Sequence, residues 1–172
     1  MKKLLVLIAF VMASTATFAQ ITREQSVAEW KRAKNYTKAY LDAMPADGYE
    51  FKATPEVRSF AAQMLHMADA TYYFISSASG KPSPMGKASA EKTVAPNKEA
   101  VTKAVMDSYD FAVNSIQGMT DAEMQEPATA EGMKTTKGLL LAKAFEHQTH
   151  HRGQTTVYLR LKGVKPPQEM LF

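Results

Sequence analysis

The chain has 172 residues, 21 Lys and Arg against 17 Asp and Glu, four His and no Cys. That length is room for one domain, and without cysteine the fold has no disulfides, no thiolate nucleophile and no Cys metal ligand, so any transition-metal site must use His, Asp or Glu. The formal net charge of +4 falls to +2 once Lys2 and Lys3 are set aside, and no basic run carries interleaved aromatics; this argues against nucleic acid as the main partner.

Residues 1–19 have the order of a secretory signal peptide. Two lysines precede an apolar run from Leu4 to Met12, and small residues follow. The run is well short of the ~20 residues that span a bilayer. Cleavage after Ala19 would leave Gln20 as the mature start, a single domain over 20–172, and a periplasmic or secreted protein without stable membrane insertion; the competing reading is an uncleaved membrane anchor.

The first helix is expected over 26–44, where Val27, Trp30, Ala33, Thr37, Tyr40, Leu41 and Met44 recur at helical spacing before "PADG" ends it. The second is expected to begin at "TPEV", with Thr54 as cap, Pro55 in the first turn and Glu56 at the positive end of the helix dipole. Its stripe is Phe60, Met64, Met67, Thr71, Phe74 and Ile75. Gly80 to Pro96 is rich in Gly, Pro and Ser and long for a compact domain, which predicts a crossover along a bundle. Asn97 caps a third helix carrying Val101, Val105, Ala112 and Ile116. A loop with a short helix over 121–125 follows. Thr135 or Thr136 caps a fourth helix that runs to Lys162 and stops at Gly163. Period-two alternation is weak throughout, so no sheet is expected. The sum is an all-α, four-helix bundle.

Three of the four histidines lie in "EHQTHHRGQ". At about 100° per residue, His147, His151, Gln154 and Tyr158 share one line, apolar at both ends. His150 is off it by about 100°. Two imidazoles at i and i+4 can share an ion. His66, on the second helix, has Ala62 and Ala70 one turn away, small neighbours that leave space around the ring. Three histidines from two helices have the form of a catalytic metal site with an open position; they are equally the form of hydrogen-bonded core histidines. Two better-known sites are excluded. Gln148 stands where a zinc-protease helix needs its Glu, and no Glu lies three residues before any histidine, as a di-iron bundle requires.

Other polar residues have weaker roles. Asp69, one turn after His66, could bond a ligand's free ring nitrogen or act as general base, or simply be a solvated or capping carboxylate. Gln154 and Tyr158 could orient a water or substrate, or bond neighbouring helices. Arg152 points away from the histidine line and is expected at the surface or in an interface ion pair. Gly153 is expected where another helix approaches closely.

"TPEVRSFAAQMLHMADATYYF" and "HQTHHRGQTTVYLRLKGVKPP" together resemble the DinB family of metal-dependent bundle proteins, the DinB/YfiT-like fold, over about residues 25 to 167. The resemblance implies a four-helix bundle with a long crossover, often homodimeric. It implies a divalent metal ion, zinc or nickel, on His66, His147 and His151. Some relatives are thiol-dependent transferases or isomerases; an export signal would place this chain where reduced thiols are scarcer. The expected function is that of a metal-dependent hydrolase or transferase acting on a small molecule. The alternative is a non-catalytic metal- or small-ligand-binding bundle of the cell envelope.

Overall fold

The computed structural model describes residues 21–172; the expected signal peptide and its cleavage site lie outside them. Four long helices make the frame: α1 (Arg23–Ala43), α2 (Phe60–Ser79), α4 (Lys98–Gln117) and α6 (Lys137–Leu161). Two single-turn helices, α3 (Ala90–Thr93) and α5 (Asp121–Met124), sit in the connections. None of the described helices is long and apolar enough to cross a membrane.

Local chemistry sets the ends of each long helix. Thr22 and Gln25 form a capping box that starts α1 three residues before the expected position. Asn97 caps α4 and Thr136 caps α6, each accepting from a first-turn amide. Gly163, at φ 73°, closes α6: its amide reaches the Arg160 carbonyl, and the Val164 amide reaches Leu159. Those two bonds form the Schellman motif.

Two expectations are corrected here. The second helix begins at Phe60 with Ser59 as its cap, not at Thr54. Thr54 to Val57 form a turn closed by Val57 N–H to the Thr54 carbonyl, and the amides of Phe60 and Ala61 bond back to Phe51 and Tyr49. Proline favours the second position of such a turn as readily as the first turn of a helix, so Pro55 does not separate the two. A small sheet also exists. β1 (Pro127–Ala130) pairs antiparallel with β2 (Met133–Thr136), Ala130 opposite Met133. Glu131 at φ 52° and Gly132 at φ 78° supply the two positive φ values of a tight hairpin turn. Strands of four residues are too short to show alternation, and the second runs straight into α6.

The core lies between α2 and its neighbours α4 and α6, with α1 packed on α4. Trp30 is its largest buried side chain, edge-on to Tyr109 and Phe145 with ring centroids 5.6 Å away in each case. The Gly80–Pro96 connection crosses from α2 to α4, and α3 within it folds back onto α2. Gly153 lies on an exposed face of α6, where an added Cβ would meet nothing within 4 Å; the expected close helix contact is not there.

Candidate metal centre

α2 and α6 pack along their length and bring His66 to His147 and His151. Ring centroids are 5.2 Å apart for His66–His147, 4.7 Å for His66–His151 and 4.4 Å for His147–His151. One ring nitrogen from each residue lies within 4.8 Å of the others. His151 is buried, while His66 and His147 are half-buried. This is the trio that helical geometry and small neighbours bring forward, with His150 beside it and exposed.

The hydrogen bonds around the cluster orient it. Gln63, one turn before His66, presents Oε1 to His151 Nδ1 at 3.0 Å. An amide oxygen accepts, so the Nδ1 carries the proton and the lone pair on Nε2 is free. Gln63 Nε2 donates to Gln154 Oε1 at 2.5 Å, and Gln154 Nε2 donates to His150 Nε2 at 2.8 Å. The result is a polar chain from His150 to a cluster histidine. Metal-binding histidines are typically fixed in this way through the other ring nitrogen. Tyr158, also on the line, donates to the Arg58 carbonyl at 2.7 Å and ties α6 to the start of α2.

The carboxylate beside His66 is Glu91 of α3, with Oε2 3.5 Å from Nδ1. Arg58 holds Glu91 from the other side at 2.9 Å. Asp69 hydrogen-bonds to none of the three rings. Its oxygens accept from Ser89 Oγ at 2.6 Å, the Ala90 amide at 2.6 Å and the Glu91 amide at 3.1 Å. Asp69 therefore fastens the positive end of α3, which carries Glu91 to His66. Sequence spacing puts Asp69 near His66 but carries no sign of Glu91, because Glu91 arrives through the crossover.

Electrostatics keep all three imidazoles in the form that can bind an ion. Burial, then the neighbouring histidines, push His147 and His151 from 6.5 to about 4. Burial and Arg58 also lower His66, opposed by Glu91 and Asp69. This predicts a pH dependence for the metal-free protein. Between about 6.5 and about 4, the unfolded chain binds protons that the folded chain refuses. Stability should be full above that window and fall as pH drops through it. Urea midpoints of chelator-treated protein at neutral and mildly acidic pH test this; identical midpoints would contradict it.

A cavity of about 590 Å³ adjoins the cluster. His147 and His150 form part of its wall, Phe74 of α2 another part, and the hairpin with the start of α6 the rest. Tyr73, which could have sealed the site, is exposed and lies against Phe74 without lining this cavity. One further expectation is overturned. Arg152 is only 6% exposed. Its Nη1 donates to Gln148 Oε1 at 2.8 Å, and its guanidinium stacks 4.5 Å from the Tyr36 ring. α6 thus buries a second polar stripe, beside the histidine line, that the line itself does not reveal.

A mostly helical bundle with four main helices, and a three-histidine cluster between α2 and α6 able to hold a metal ion, defines the class of protein. The DinB family pattern matches residues 12–170, and the chain belongs to the DinB family. Its fold is similar to the crystal structure of a DinB-like protein from Bacillus cereus ATCC 10987, with TM-score 0.77 and 21% identity, over 87% of this chain and 98% of that one. It is also similar to the DinB-like protein YjoA from Bacillus subtilis, with TM-score 0.69 and 20% identity, over 86% and 96% of the two chains. The uncharacterized protein YrdA of Bacillus subtilis (strain 168) is 38% identical over 68 residues, which span 37% of this chain and 41% of that relative's length.

Proposed function

We propose that this protein is an exported, divalent-metal-dependent hydrolase or transferase of a small molecule, with zinc or nickel held by His66, His147 and His151. The observation that carries this reading is the position of His147, which belongs both to the cluster and to the wall of a cavity large enough for a substrate. Three neutral imidazoles neutralise none of a divalent ion's charge, and an ion so held supplies Lewis-acid polarisation of a bound oxygen or sulfur. The chain's own residues do the rest. Gln63 fixes the tautomer of His151, Glu91 steadies His66, and Asp69 holds α3 so that Glu91 stays in place. The lysine-led apolar start of the chain supports export to the periplasm or beyond.

One observation favours a second reading, a non-catalytic metal- or ligand-binding bundle. Both acids near the cluster are engaged, Asp69 by α3 and Glu91 by Arg58, and neither is free to act as base. The two readings part in one experiment. Untagged protein is analysed for metal, then assayed on a panel of esters, amides and thiol acceptors before and after chelation. Enzyme behaviour is about one ion per chain and turnover that chelation removes and the ion restores. An ion without turnover selects the binding protein. No ion, even after reconstitution with zinc or nickel, overturns both.

A further inference from the structure

We infer that the cavity beside His147 is a binding site for a carbonyl compound whose acyl or aryl body is apolar and uncharged, its carbonyl end towards the histidine cluster. The inference rests on the metal reading for the carbonyl end and on the cavity alone for the body. Phe74, Met133, Leu139 and Leu140 make the wall apolar, and about 590 Å³ lies within the usual range for small-molecule sites. Met133 and Leu139 are 66% and 50% exposed, large apolar side chains of this wall left in water, where a ligand would cover them. The charges of the lining balance. Glu131 and Glu146 oppose Lys134 and Lys143, and Lys143 is paired with Glu146 at 2.6 Å. The wall away from the histidines therefore carries no net charge, and a charged group on the ligand's body would lose its hydration there without compensation. His147 belongs both to this wall and to the cluster, which sets the orientation.

Straight-chain alkyl hydroxamic acids of increasing length test this on the zinc-loaded protein by calorimetry. Their head seeks a metal ion, and their alkyl tail is apolar and uncharged. Affinity should rise about threefold to fourfold per methylene until the cavity is filled. In a Met133→Ser/Leu139→Ser double variant the rise should shrink to less than half of that; both side chains are exposed, so the fold is not at risk. Placing a carboxylate at the far end of the chain should weaken binding. An uncharged naphthylamine dye reports on the cavity without any ion. Its fluorescence should increase with metal-free wild type and show little increase with the double variant. Affinity independent of chain length while the ion is bound would overturn the inference and leave the metal site standing. A preference for the charged probe would overturn it as well. Dye binding that the variant does not change would do the same, whether or not metal is present. Absence of any ion, with the dye still held by wild type and lost in the variant, would overturn the metal reading and the carbonyl orientation, and would uphold the apolar site.

Discussion

A His147→Ala/His151→Ala double variant is expected to lose the metal ion proposed for the cluster while keeping its helices. Removing a residue that merely orients a ligand typically weakens binding about 10- to 100-fold, so removing two ligands should exceed ~100-fold. The fold should survive, because His147 is half-exposed and the main loss at His151 is its bond to Gln63, worth about 1 kcal/mol. Two further variants make the result specific to the geometry. Gln63→Leu removes the acceptor that fixes the His151 tautomer, and affinity should drop about 10- to 100-fold with every ligand intact. His150→Ala, at the far end of the polar chain, should keep the ion. Metal content by elemental analysis and affinity by competition with a chelating dye give the readouts, with circular dichroism as the check on folding. Equal metal content in wild type and the double variant would place any ion elsewhere. Loss of the ion in His150→Ala alone would mean that the ligand set is wrong.

The sequence makes the trio visible because helical period is a strong signal over a long helix. His147 and His151 fall on one line, and the small Ala62 and Ala70 mark His66 as accessible. What is hidden depends on contacts between distant segments. Gln63 is one turn before His66, yet its bond is to His151 on another helix. Glu91 reaches His66 only because Asp69 captures the single turn of α3. Pro55 fits a turn and a helix start equally well, so local chemistry alone leaves that boundary open. The hairpin is shorter than the window in which alternation can be recognised, yet it builds much of the cavity wall. Arg152 is the plainest case. A charged residue off the histidine line reads as surface, but α6 is buried on two sides, against α2 and against α1, and Arg152 faces the second.

That second face leads to the largest expected change in stability. Gln148→Leu should destabilise the protein by about 3 kcal/mol, a downward shift of ~1.5 M in urea midpoint. Gln148 Oε1 accepts from both Arg152 Nη1 and Tyr109 Oη, each at 2.8 Å, and Tyr109 also bonds Thr37 at 2.7 Å. Gln148, Tyr109 and Thr37 have no measurable exposure. Burial pushes the Tyr109 phenol up to about 12, so it stays protonated and donates. Among the described residues Arg152 forms no ion pair, and its charge is met by the Gln148 amide oxygen, a longer bond to Thr37 at 3.4 Å and the face of Tyr36. Leucine at 148 fills most of the volume but leaves a buried cation and a buried phenol without their shared acceptor. Adding Arg152→Met removes the stranded charge, so the double variant should be more stable than the sum of the two single losses by at least ~1 kcal/mol. Additive losses, or a cost of Gln148→Leu near zero, would show that water replaces the amide and that the network does not hold the helix. The stake extends to the histidines. Arg152 follows His151 directly, and Gln148 follows His147, so the bonds that fix α6 against α1 and α4 also set the angle at which both imidazoles meet α2. Gln148→Leu should therefore weaken metal binding as well as folding, although the Gln148 side chain hydrogen-bonds to Tyr109, Thr149 and Arg152 and to none of the three histidine rings.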